Sequence, residues 1–372
     1  MIKTDNKEIN YLLQLLYCAL KEQPAPIDEA VDMDKLFRLA KRQQVYTTVL
    51  PALEAGGVLS QEQLAQWNDY RKTELQKLIT VDAERAAICS ELDALGIPYM
   101  FLKGLEIREY YPKIAMRQMS DNDILYDASR REELMALMKK HGYYLGASGG
   151  ISDDFYKKPF CTFEFHRTLF NPEEPFCPDF DPMAHAVPYG EGSSRMVISR
   201  EDNYLYAVGH LYKHYYCIDG CGVRFICDLY LLAHSDDVLD WDYIHAELKR
   251  FGIAQFNEIA LSLADAIFED AALTEDAKAL LDFMLEGGIF GTDSFDINSE
   301  VEQYGSKAAF LYHRLFPSRE HMQAEYRTLK RKPYLLPYYY GYRLVDKYRH
   351  NRRYMQRDLD ALKQSKKKNE DK

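Results

Sequence analysis

At Gly96 the hydrophobic period of the chain changes, and near residue 200 it changes back; this double switch limits the possible folds more than any other feature of the 372 residues. Residues 7–22 and 28–43 repeat apolar positions at helical spacing. A third helical run begins at Ser60, which is followed by Glu62 and Gln63 as a capped start should be, and continues to about Leu95. From Ile97 the pattern becomes a short apolar strand that ends at Lys103-Gly104 and turns into a helical stretch, Leu105 to Tyr111. A second strand covers 122–126, and Ser129 is expected to cap a helix ending near His141-Gly142. An extended Tyr143-Tyr144-Leu145 and a Gly-, Ser- and Asp-rich loop over 146–159 precede an alternating strand over 160–166. A proline-rich irregular excursion fills 171–193, and helices resume from Arg200 to about 286.

The pattern predicts an α+β protein in which a small mixed sheet with flanking helices is set between N-terminal and C-terminal helical regions. The expected divisions are 1–95 (helical), 96–199 (the α/β core), 200–290 (helical) and 291–372, a Tyr-rich helical region with a basic tail. The Tyr-rich run over 333–343 is able to stack on a base or sugar, or simply to pack on its own domain. A length of 372 residues allows two or three domains at roughly 150 residues each.

Charge narrows the partners. Forty-seven Lys and Arg face fifty-eight Asp and Glu, a net of −11, although residues 341–372 carry eleven basic and five acidic side chains. An acidic body repels a polyanionic backbone, which argues against broad nucleic-acid binding. No window reaches the run of about eighteen apolar residues that a membrane span requires, and the opening residues lack the apolar stretch of a signal peptide. With seven scattered cysteines, free thiols and a cytoplasmic location are expected.

The chemistry concentrates in Asp121-Asn122-Asp123 and in Thr162-Phe163-Glu164-Phe165-His166. Side chains alternate across a strand, so Asp121 and Asp123 share one side, while Thr162, Glu164 and His166 oppose a face made of Cys161, Phe163 and Phe165. If the two strands are neighbours, Asp121, Asp123 and Glu164 converge, and such carboxylates repel unless cations neutralise them. Oxygen ligands favour Mg²⁺ or Mn²⁺. Taken singly, the Asp-x-Asp pair also fits an ordinary turn before a strand. An EF-hand is excluded, because Leu125 and Tyr126 stand where a ligand and a glycine would be needed.

The order of these motifs resembles the nucleotidyltransferase superfamily related to DNA polymerase β. In particular, Phe101-Leu102-Lys103-Gly104, Tyr111-Pro112, Arg117 through Asp123 and Glu164-x-His166 look like a bacterial nucleotidyltransferase-like family with Leu-Lys-Gly in place of the usual Gly-Ser. His210-x-x-x-His214 and Gly222-x-Arg224-x-x-x-Asp228 are similar to its helical second half.

The resemblance implies transfer of an NMP from an NTP to a hydroxyl of an unknown small-molecule or protein acceptor, with two Mg²⁺ ions stabilising the attacking and leaving oxygens. It assigns metal ligation and catalysis to Asp121, Asp123 and Glu164, and nucleotide contacts to Lys103, Gly104 and Arg117. His166, His210, His214, Arg224 and Asp228 would line the cleft, with Arg224 and Asp228 alternatively forming an i,i+4 pair. The missing serine hydroxyl leaves a second reading open, a catalytically inactive binding or scaffold protein of the same fold. His210, His214, Cys217 and Cys221 are zinc-ligand types, but one continuous helix cannot wrap all four around a tetrahedral ion.

Overall fold

The computed structural model describes residues 2 and 4–288, except 120, 149, 173, 218, 219, 236 and 237, together with 319, 322, 329 and 332–341. The chain divides into two compact units. The first comprises 1–213 and 222–285; the second comprises 214–221 and 286–372.

In the first unit, α1 (Lys7–Leu20), α2 (Met33–Arg42) and α3 (Tyr46–Ala55) lead into the 35-residue α4 (Gln61–Leu95). Ser60 and Gln63 form a reciprocal capping box at its start, and Gly96, at φ 62°, closes its end in the left-handed conformation. That glycine lets the Ile97 amide donate back to Leu92 and sends the chain into the sheet.

The sheet contains β1 (Tyr99–Phe101), β2 (Asn122–Tyr126), β3 (Tyr144–Ser148), β4 (Ser152–Lys157), β5 (Cys161–His166), β6 (Val187–Pro188) and β7 (Arg195–Val197). Its order is β3-β4-β5-β2-β1-β7-β6. β2 runs parallel to β5 and antiparallel to β1, so the sheet is mixed and the protein is α+β. Between β1 and β2 lie α5 (Gly104–Ile107) and two 3-10 turns, Arg108–Tyr110 and Ile114–Met116, where the sequence suggests one longer helix. α6 (Arg131–Lys140) follows β2.

Two expectations change here. Ser129 does not cap α6; the Asp127 carboxylate accepts from the Ser129 amide and opens a 3-10 turn ahead of the helix. The stretch 146–159 is not all loop, because β4 lies within it. Its Gly, Ser and Asp content hides an alternation in which Asp153 and Phe155 are buried. Asp153 is tolerated there because Arg131 and Arg167 both donate to it.

One face of the sheet forms a core. Ile88 and Leu92 of α4, Leu134, Leu137 and Met138 of α6, and Tyr99, Ile124, Tyr126, Phe155, Cys161, Phe163 and Phe165 of the strands pack together. Removing this area from water at roughly 25 cal/mol per Å² holds the strand register. The opposite face carries Asp123, Thr162, Glu164 and His166. Helices resume with α7 (Arg200–Cys217), α8 (Arg224–Ala233), α9 (Trp241–Arg250), α10 (Ala254–Phe268) and α11 (Glu275–Gly287). None of the seven cysteines forms a disulfide among the described residues.

In the second unit the described stretch 332–341 contains a 3-10 turn, Pro333–Leu335, with Tyr334 and Tyr338 exposed. Most of the expected Tyr-rich region and the basic tail lie outside the described residues. Among the described residues no helix is long and apolar enough to cross a membrane.

Candidate active site

The backbone ladder builds the centre of the site. In the parallel pairing of β2 with β5, Asp123 stands opposite Glu164. Because residues at i and i+2 share a face, His166 joins them. One ligand atom from each of Asp123, Glu164 and His166 lies within 4.8 Å of the others, close enough for the three to hold a metal ion. The two carboxylates are ligands of the kind that Mg²⁺ and Mn²⁺ take, whereas the imidazole is a ligand more typical of Zn²⁺ or Fe²⁺. Asp121 is half-buried just before β2 and is not one of the three, although its charge reaches Lys103 and Glu164.

The turn after β1 is aimed at this cluster. The Leu102 amide donates to the Asp123 carbonyl at 3.1 Å, extending the β1–β2 ladder to the edge of the turn. Lys103 then adopts φ 48°, ψ −119°, a conformation that costs an L-residue of order 1–3 kcal/mol. The strain directs its side chain onto Asp123, with Nζ 2.7 Å from Oδ1. Gly104 follows at a point of close approach. A Cβ there would lie 2.3 Å from Arg117 Nη1, so no larger residue fits without moving that guanidinium.

Electrostatics divide the two carboxylates. Burial raises the Asp123 carboxyl, but Lys103 and the His166 hydrogen bond outweigh it and hold the group well below the usual carboxylate range. Glu164 is pushed up to about 8 by burial and then by the negative charges of Asp123 and Asp121. Burial opposes the Lys103 charge, yet Asp123 keeps the ammonium above its ordinary range. His166 Nε2 lies 2.9 Å from Asp123 Oδ1 and 3.7 Å from Glu164 Oε2, while its buried Nδ1 has no hydrogen-bond partner.

Other expected site residues are placed differently. Arg117 Nε and Nη2 donate to the two oxygens of Asp228 at 2.8 and 2.7 Å, and the Tyr111 hydroxyl adds a third bond at 2.7 Å. The Arg224–Asp228 pair suggested by their spacing is not the ion pair that forms: Asp228 pairs with Arg117 in a two-point contact instead. Arg224 turns to Gln44 Oε1 at 2.5 Å and the Gln118 carbonyl at 2.9 Å. His210 sits among aromatic rings, 6.0 Å from Tyr206 and 5.5 Å from Phe225. His214 belongs to the second unit.

Sequence reasoning missed Tyr206. It is fully buried on α7, and the Lys103 charge acts on its hydroxyl, which couples the helical half to the turn. It also missed Gln43 and Gln44, which receive the Val223 amide and Arg224. Nothing local marks either: one tyrosine among twenty-nine and two glutamines at a helix end carry no periodic signal.

A family model described as an uncharacterised nucleotidyltransferase matches residues 29–269, and the chain belongs to that family. No curated protein matches it. Among solved structures the chain is similar to the antibiotic-resistance factor ANT(2'')-Ia, whose solution structure is described as revealing substrate-regulated conformation dynamics. The identity is 14% and the TM-score 0.37, over 49% of this chain and 97% of that one.

Proposed function

We propose that this protein transfers an NMP from an NTP to a hydroxyl of a small-molecule or protein acceptor, with divalent cations held by Asp123 and Glu164 and with Asp121 nearby. The observation that carries this reading is the register Asp123 opposite Glu164, with His166 completing a donor cluster beside the Lys103-Gly104 turn. A divalent cation bound there supplies charge neutralisation for the attacking and leaving oxygens of phosphoryl transfer. Lys103 is placed to meet the polyphosphate, and Gly104 keeps the backbone bare where the nucleotide approaches. Glu164 would receive the proton of the acceptor hydroxyl only after losing its own, a state that its raised carboxyl reaches near pH 8 and that a bound cation would favour at lower pH.

One observation favours the second reading, an inactive binding or scaffold protein. In this structure an internal cation, the Lys103 ammonium, already neutralises Asp123. Incubation with labelled ATP, GTP, CTP and UTP, Mg²⁺ or Mn²⁺ and cell extract separates the two. Label transferred to an acceptor by the wild type, and not by Asp121→Asn/Asp123→Asn or Glu164→Gln, supports the transferase. Nucleotide binding without transfer under every condition supports the scaffold.

A further inference from the structure

We infer that Arg224, rather than Arg117, is the arginine that receives the polyphosphate, an inference that rests on the transferase reading above. The argument is one of charge. Arg117 is matched by Asp228 in a bidentate pair, with both side chains almost fully buried, so the pair is neutral as it stands. Asp228 spends its charge on Arg117 and Tyr111, and none of these bonds goes to Arg224.

Arg224 is 8% exposed and makes no salt bridge among the described residues. Its Nη1 meets only the neutral oxygens of Gln44 and Gln118, and its guanidinium lies 5.9 Å from the Phe225 ring. Its Nε is buried with no hydrogen-bond partner among the described residues. Burial and then the Arg117 charge disfavour the cation, and the nearby charges of Asp228 and Asp121 offset this only in part. A buried guanidinium with no direct ion-pair partner among the described residues and with an unused donor is costly unless an anion arrives to meet it.

Position points the same way. Gln118, which Arg224 grips, precedes Asp121 by three residues, and the neighbouring Arg117 packs its Nη1 against Gly104. Arg224 also opens the ten-residue α8, whose preceding residue Val223 provides no side-chain cap, so the positive end of the helix adds to the local potential. The ligand that fits is the polyphosphate of a nucleoside triphosphate, or the pyrophosphate that leaves. A bracing role alone would use Nη1 and leave the charge and Nε without a purpose.

The test uses inorganic tripolyphosphate with Mg²⁺, which removes any dependence on the base, and compares full-length wild type, Arg224→Gln and Arg224→Lys by calorimetry. We expect Arg224→Gln to weaken tripolyphosphate binding by about ten- to a hundredfold, the loss of one charge-assisted contact. Arg224→Lys, which keeps the charge, should recover part of it. Orthophosphate binding should change by less than about threefold, since a single phosphate need not reach Arg224. Equal binding by wild type and both variants overturns the inference, as does a loss in Arg224→Lys as large as in Arg224→Gln, which would mark a bracing role. If Arg224→Gln does not fold, the Arg224→Lys result decides. Failure here with NTP turnover intact removes Arg224 alone; absence of turnover with all four NTPs removes the transferase reading separately.

Discussion

Lys103 and His166 converge on the same atom, Oδ1 of Asp123, at 2.7 and 2.9 Å. A divalent cation approaching that oxygen must compete with the ammonium, whereas a polyphosphate would draw the ammonium away. Lysine and metal therefore oppose each other until nucleotide is present.

Substituting Lys103→Met should accordingly raise Mn²⁺ affinity in the absence of nucleotide by about tenfold, equivalent to about 1.4 kcal/mol. The same change should weaken NTP binding. Mn²⁺ titration by electron paramagnetic resonance reads the first effect and nucleotide calorimetry the second; unchanged Mn²⁺ affinity would argue against the competition.

Under the proposed function, Glu164 would give metal uptake a pH dependence. With its carboxyl pushed up to about 8, the folded protein holds a proton there that the unfolded chain has already lost. Stability of the metal-free protein from this group is thus full at low pH and declines as pH rises from the ordinary carboxylate range to about 8. Asp123 works in the opposite sense: its contribution is present above the unfolded carboxylate pKa and lost on acidification below it. Near pH 7 a metal that binds Glu164 displaces its proton. Calorimetry in two buffers of different ionisation enthalpy should show about one proton released per metal site, and Glu164→Gln should abolish that release. Glu164→Gln should also melt higher than wild type at pH 8 without metal.

Gly104→Ala places a methyl group 2.3 Å from Arg117 Nη1. Either the turn or the guanidinium must move, at about 1–3 kcal/mol for an overpacked site. Denaturant unfolding checks the stability loss, and tripolyphosphate binding should fall with it, because the turn shifts.

Asp228→Asn removes the counter-charge of a buried arginine while keeping the shape. Loss of one partner of a buried pair should cost about 3–5 kcal/mol. The double change Arg117→Met/Asp228→Leu should be markedly less destabilised than the sum of its single changes, since neither charge is then stranded. Urea unfolding of the four proteins completes the cycle.

Much of this arrangement was legible in the chain. The helix-to-strand switch at Gly96, the extent of β2 and the division of β5 into Phe163 and Phe165 on one face and Glu164 and His166 on the other all follow from periods of 3.6 and 2. Convergence of Asp123 with Glu164 was conditional on the strands being neighbours, and the parallel pairing meets that condition. The partner of Arg117 was not legible. Asp228 lies 111 residues away, and spacing pointed it toward Arg224 instead. Tyr206, Gln43 and Gln44 act through tertiary contacts with no sequence neighbourhood to announce them. β4 was obscured by polar residues whose charges are neutralised from other elements.

The strained turn at Lys103 has a consequence for how this chain could be altered. Glycine relaxes the backbone at that position, where φ is 48°, so a Lys103→Gly protein gains conformational ease from the very change that disarms it. Conformational ease and chemical competence pull in opposite directions at this one residue, and selection for a sturdier protein alone would erase the lysine contact with Asp123 Oδ1 from the turn that follows the first strand.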